Sequence, residues 1–168
     1  KNKIENIIHV STDEVYGSNQ NDFFSEVDHF NPSSPYSASK ASAELICKSF
    51  TKTYGQNIKI VRPANNYGVY QQPEKLIPFS IAQLKNDKNI EVYGNGKQVR
   101  HWLHVEDTVS AIYKILTEDE ANGIYNIGSG EYLENITLVK NILNHLKLGE
   151  DRIDYVEDRP GHDFRYAI

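Results

Sequence analysis

Two periodicities of apolar residues alternate along this chain. Short, largely apolar runs of strand length occur at Asn6 to Ser11, Ile58 to Arg62, Ile90 to Tyr93, Val99 to His104, Ile124 to Ile127 and Ile153 to Val156. Between them apolar positions return every three or four residues, which predicts helices over Tyr36 to Thr53, Leu76 to Lys85, Val105 to Thr117 and Thr137 to Leu146. The first helix carries its own start signal, because Ser34 can cap it and Pro35 suits the first helical position. The second places Ile77, Ile81 and Leu84 on one side, and the last does the same with Val139, Ile142, Leu143 and Leu146. Strands alternating with helices predict an α/β protein built on a parallel sheet.

Composition narrows the setting. With 168 residues the chain suits one domain, or parts of two interleaved lobes. Its net charge of −5 and the absence of a basic run argue against nucleic acid as a partner. No apolar stretch approaches the roughly 18 residues that span a bilayer, and no secretory core opens the chain, so no membrane partner is expected. The single cysteine, Cys47, cannot form an internal disulfide, which suits a cytoplasmic location, and it reads as a packing residue of the first helix. His101 and His104 lack the cysteine or carboxylate neighbours that would complete a metal site, so no metal is expected.

The chemistry concentrates at the end of the first strand and the start of the first helix. Thr12-Asp13-Glu14 follows the run Asn6 to Ser11, and in an open parallel sheet ligands bind at the carboxyl ends of strands. A solvated turn would also hold an Asp-Glu pair, but Val15-Tyr16-Gly17 continues apolar instead of becoming a flexible loop. Tyr36 and Lys40 stand four apart on the first helix and so share a face, where an ammonium can lower a phenol pKa from its usual value of about 10. Tyr and Lys at this spacing also occur on many ordinary helices, so the neighbouring carboxyls carry weight. On a regular strand successive side chains point apart, and the backbone must therefore turn around Asp13 for both carboxyls to face one substrate.

Ser11-Thr12-Asp13-Glu14-Val15-Tyr16-Gly17, Tyr36-Ser37-Ala38-Ser39-Lys40, Asn65-Asn66-Tyr67-Gly68, Pro73-Glu74-Lys75-Leu76-Ile77-Pro78, Tyr93-Gly94-Asn95-Gly96 and Asp158-Arg159-Pro160-Gly161-His162-Asp163 occur here in one order. Together they resemble the dTDP-glucose 4,6-dehydratases, extended members of the short-chain dehydrogenase/reductase superfamily, from about His9 to the last residue. The resemblance implies a partial Rossmann-type, doubly wound parallel sheet with a smaller interleaved α/β substrate-binding lobe. Residues 1–66 and 105–128 would belong to the NAD-binding domain, and residues 67–104 and 129–168 to the substrate lobe. Such proteins open with a Gly-rich turn for the NAD pyrophosphate. No such pattern occurs here, so Lys1 is expected to fall midway through a Rossmann half, in a portion of a longer protein.

By the same resemblance NAD is the cofactor, held by Ser11, Tyr36, Lys40 and Asn66. Tyr36, supported by Lys40, takes the proton from the glucose 4-hydroxyl while NAD accepts hydride from C4, and Thr12 bonds that hydroxyl. Glu14 removes the acidified C5 proton, Asp13 protonates the departing C6 hydroxyl, and hydride returns to C6. Arg100 and Arg159 would hold the diphosphate with Asn135 and His162. Asn65 would contact the sugar-diphosphate region, and Glu74, Lys75, Leu76 and Tyr93 would enclose thymidine. Nucleotide-sugar epimerases resemble this scaffold with small residues after the Ser or Thr, and UDP-glucuronate decarboxylases have Ser before the Glu, so Asp13 favours dehydration. Two departures stand out: His101 where the family pattern usually has Asp, and Ala64 where several relatives carry Ser or Cys. The resemblance also implies a homodimer through the first helix, with Ala41, Leu45 and Lys48 on its exposed face. A dehydratase of another nucleotide sugar such as UDP-glucose, and a non-catalytic nucleotide-sugar-binding fragment, stay open as alternatives.

Overall fold

In the computed structural model, which describes residues 4–20, 22–118 and 122–168, strands and helices follow the expected alternation. Their order is β1 (Ile7–Val10), α1 (Pro35–Tyr54), β2 (Ile58–Pro63), β3 (Asn65–Tyr67), α2 (Leu76–Lys85), β4 (Ile90–Tyr93), β5 (Val99–His104), α3 (Val105–Thr117), β6 (Ile124–Ile127), β7 (Tyr132–Glu134), α4 (Asn135–His145) and β8 (Ile153–Val156). Lys1, the expected entry into the Rossmann half, lies outside the described residues.

β1, β2 and β6 form one parallel sheet in that order, with Ile7 opposite Ile58 and Ile60 opposite Ile124. β2 is central and covered on both faces, which is why burial runs along it without alternation and takes in even Lys59 and Arg62. Val61 packs with Ala111, Ile112 and Ile115 of α3. Lys59, two residues away and therefore on the same face, donates from Nζ to the carbonyls of Ile115 at 2.7 Å and Glu118 at 3.1 Å. Those carbonyls sit at the negative end of α3, which offsets the cost of burying the ammonium. Arg62 points the other way, toward α1.

A second sheet has the order β3-β5-β7, parallel at Asn65 opposite Trp102 and antiparallel at Val99 opposite Glu134. β4 and β8 pair in parallel, and Ile90 and Val92 pack there against Ile136, Val139 and Leu143. The three-residue strands β3 and β7 were not expected, since three residues are too few to display a period of two. α4 begins at Asn135, two residues before the expected start. Ala41 is not on the exposed face of α1, as anticipated, but buried against Val15 and Tyr16; Leu45 and Lys48 do remain exposed. Among the described residues no helix is long and apolar enough to cross a membrane.

Candidate active site

The chain turns as soon as β1 ends. Ser11 still bonds the sheet through its N–H to the Val61 carbonyl, Thr12 stays extended, and Asp13–Tyr16 then form one turn of 3-10 helix. Thr12 Oγ1 accepts from the Glu14 N–H at 3.3 Å and donates to Asp13 Oδ1 at 3.3 Å. This turn removes the strand geometry that would have aimed the two carboxyls apart. Gly17 closes it with φ 78°, and a Cβ at that position would lie 2.2 Å from the Asn31 carbonyl oxygen. The back of the turn is anchored by Tyr16. Its ring stacks on Phe24 at 5.0 Å, and its hydroxyl donates to Asn126 at 2.8 Å and accepts from Arg62. Arg62 in turn donates to Glu44 of α1 through Nε at 2.9 Å and Nη2 at 2.6 Å, with both side chains fully buried.

Burial, and then the charge of Glu14, push the Asp13 carboxyl up to about 7, against the hydrogen bond from Thr12 and the charge of Arg100. Glu14 is also raised, mainly by burial, while Arg100 opposes the shift. Asp13 can therefore carry a proton near neutral pH beside a second carboxyl. Tyr36 enters from the start of α1, where Ser34 and Ser37 form a reciprocal cap and Pro35 follows. Both Glu14 and Asp13 act electrostatically on its phenol, which places the three groups in one neighbourhood. One expectation is corrected here. The phenol is shifted up, by burial and by Glu14, and the Lys40 ammonium donates to the Val10 carbonyl at 2.9 Å.

A cavity of about 890 Å³ opens from this point, large enough for a nucleotide sugar. Glu14 and Tyr36 lie on its wall with Asn65, Arg100 and Asn135. Glu74, Lys75, Leu76 and Tyr93 line another part, and Arg159 and His162 come from the final segment. Thr12 sits behind this lining, bonded to Asp13. Arg100 is buried and largely committed within the protein: it donates to the carbonyls of Val99 at 2.8 Å and Asp163 at 2.9 Å and lies over the Tyr166 ring. Arg159 is exposed. His162 Nδ1 and Asp158 are 2.6 Å apart. Ser11 Oγ is buried with no partner among the described residues. Asn66 lies on β3, its amide donating to the Ala64 carbonyl and accepting from Thr108.

Sequence reasoning missed Phe79, Gln98, Trp102 and Tyr166, which also line the cavity. Gln98, Arg100 and Trp102 are spaced by two along one extended stretch, so the period that located Arg100 could have found the other two.

His101 points to the opposite side of β5. Its Nε2 accepts from the N–H groups of Ser129 and Gly130, both at 2.7 Å, and its ring lies on Tyr132 with centroids 4.3 Å apart. A hydrogen-bond acceptor is what the turn requires, which a carboxylate or a neutral imidazole can each supply. Burial lowers the His101 pKa, so the folded state resists a proton that the unfolded chain takes up near the ordinary value of about 6.5. The contribution of His101 is therefore fully present above pH ~6.5 and is lost as pH falls below it. His101→Asp is expected to flatten this acid sensitivity, seen as a smaller drop in melting temperature between pH 7 and pH 5.

The profile of the NAD dependent epimerase/dehydratase family matches residues 1–128. A low-salt glycan biosynthesis protein, Agl12, of Haloferax volcanii is 44% identical over 98% of this chain and 53% of its own length. The dTDP-glucose 4,6-dehydratase of Haemophilus influenzae is 43% identical over 95% of this chain and 51% of its own. DesIV, a dTDP-glucose 4,6-dehydratase from Streptomyces venezuelae solved with NAD bound, superposes with a TM-score of 0.94 at 41% identity, covering 97% of this chain and 51% of that one. The chain thus spans about half the length of the curated relatives it matches. Three of the parallel strands of a doubly wound sheet, a carboxyl pair at the end of the first of them and a family profile running through residue 128 agree: the chain belongs to the NAD dependent epimerase/dehydratase family.

Proposed function

We propose that this chain carries the acid–base residues of an NAD-dependent dehydratase that converts dTDP-glucose to dTDP-4-keto-6-deoxyglucose and water. One observation carries the reading: Glu14 and the Tyr36 phenol share the wall of a cavity the size of a nucleotide sugar, and a second carboxyl, Asp13, is buried directly behind Glu14 where burial favours its protonated form. Elimination needs an acid and a base at once, and two carboxyls in unlike surroundings provide them.

Tyr36 receives the 4-hydroxyl proton, and Thr12 orients that hydroxyl. Once C4 is a ketone, Glu14 removes the C5 proton, and protonated Asp13 gives its proton to the 6-hydroxyl, which leaves as water. When bound, NAD would supply the hydride acceptor at C4 and the hydride donor at C6, and the proton held on Glu14 returns to C5 to complete the 4-keto-6-deoxy product. Ser11, Tyr36 and Lys40 are the residues that would hold it. The unpartnered Ser11 hydroxyl, buried at the carboxyl end of β1, fits a polar ligand there. Asn66 has its amide occupied within the protein and would act through its position. Lys40 is one helical turn from Tyr36, and release from the Val10 carbonyl would let it lower the phenol pKa. Arg100, Arg159, Asn135 and His162 would face the diphosphate, Asn65 the sugar, and Glu74, Lys75, Leu76 and Tyr93 the base. In this reading residues 1–66 and 105–128 form the nucleotide-binding lobe, and 67–104 and 129–168 the substrate lobe. A homodimer would use the exposed Leu45, Ile46 and Phe50 of α1.

Competition between dTDP-glucose and UDP-glucose in the full-length protein tests the reading. dTDP-glucose is expected to win in kcat/KM by at least about tenfold. Equal turnover would overturn the base assignment, and failure to release water from either sugar would overturn dehydration.

A further inference from the structure

Asp163 lies outside the acid–base set, yet three parts of the site meet on it. Its Oδ2 accepts from the hydroxyl of Ser33, the residue before the Ser34 cap of α1, and from the Tyr166 hydroxyl at 2.5 Å. Its backbone carbonyl accepts from Arg100 Nη2 at 2.9 Å, and the Arg100 guanidinium lies 4.6 Å from the centre of the Tyr166 ring. The segment carrying Asp163 is fixed in turn to β5, the Val99 N–H donating to the Phe164 carbonyl at 2.8 Å and the Tyr166 N–H to the Val99 carbonyl at 3.4 Å. Ser33 is three residues from Tyr36, and Arg100 is the cation whose charge reaches both Asp13 and Glu14.

We infer that Asp163 is a positioning residue that ties the start of the phenol-bearing helix to the arginine facing the two acids. The inference rests on the dehydratase reading for its consequence in turnover, but the tie itself is a property of the folded chain. Hydroxyl-to-carboxylate bonds are short and strong, so one carboxylate oxygen can hold Ser33 and Tyr166 in register. A shift of about 1 Å in reacting groups can cost on the order of 10²-fold in rate, so the spacing between Tyr36 and the acid pair is worth fixing.

Asp163 also has an electrostatic effect. Glu14 is faced by Asp13 beside it, Tyr36 of α1, Arg100 of β5, Lys75 before α2, and Arg159, Asp163 and Tyr166 of the final segment. Of these, Asp163 pushes the Glu14 pKa upward. Its charge therefore delays ionisation of the base on the acid side of the pH range.

Asp163→Ala and Asp163→Asn in the full-length protein separate the two effects. Alanine removes the oxygen that Ser33 and Tyr166 share and is expected to lower kcat for dehydration by about tenfold or more with KM changed less than about threefold. Asparagine keeps an acceptor oxygen without the charge, and is expected to restore most of kcat. In both, the acidic limb of the kcat/KM profile moves to lower pH. Amide hydrogen exchange of the free protein gives a readout that does not depend on the reaction. Alanine should accelerate exchange at the Ser37 and Ala38 amides of α1 and at the Tyr166 amide together, while asparagine should not. An active unaltered protein with an unmoved acidic limb in both variants, or equal kcat in the two, would overturn the inference, as would exchange that changes at neither segment or at only one. Exchange that responds as stated in a protein that releases no water would uphold the tie and sink the dehydratase reading. Should the alanine variant fail to fold, the asparagine variant alone must still move the limb.

Discussion

Glu14→Gln is expected to stop the reaction after oxidation at C4: reduced nicotinamide accumulates on mixing with dTDP-glucose while water loss slows by about 10²–10⁴-fold, the usual contribution of a general base. The size of the effect follows from the geometry. Glu14 is the carboxyl on the cavity wall, whereas Asp13 is buried behind it with Thr12. Removing Glu14 also takes away the neighbouring charge that helps keep Asp13 protonated, so the acid weakens as the base is lost. Asp13→Asn should fail differently. It leaves the base, so the C5 proton of the 4-keto sugar exchanges with deuterium from solvent while the 6-hydroxyl stays in place. Mass spectrometry of the recovered sugar distinguishes the two. Rapid dehydration by either variant would remove its residue from the proposed mechanism.

Glu44→Ala is expected to destabilise the fold by about 3–5 kcal/mol, because it strands the Arg62 guanidinium without its partner in a fully buried site. Urea unfolding of the two proteins measures it. Replacing both members, Glu44→Met with Arg62→Leu, should recover most of that loss, since a well-packed apolar pair often equals a buried ion pair in stability. Activity should not recover with it. Arg62 also bonds the Tyr16 hydroxyl and lies over its ring at 4.7 Å, and Tyr16 anchors the turn that carries Asp13 and Glu14. A double variant as stable as the parent and equally active would show that the turn holds without this support.

Much of this arrangement was visible in the chain itself, and the parts that were not share a physical reason. Six strands and four helices were readable because each repeats its period often enough, whereas Asn65–Tyr67 and Tyr132–Glu134 do not. The cavity residues came from motifs, and period two on either side of Arg100 would have extended them to Gln98 and Trp102. Glu44 reads locally as an ordinary polar helix position, and only its partner gave a sign, since Arg62 and Lys59 are charges inside an otherwise apolar run. Lys40 shows the limit of spacing. Four residues on a helix give a shared face, but a long side chain then chooses among the acceptors in reach, and here it finds the Val10 carbonyl.

The ammonium of Lys59, sealed under the end of α3, makes a reporter that needs no engineering. An amine-acylating reagent modifies only lysines that it can reach, so in the native protein Lys59 should stay unlabelled while Lys48, Lys52 and Lys114 react. Label at Lys59 then counts the moments when α3 lifts from the sheet, and the rate of its appearance times local opening of this layer directly.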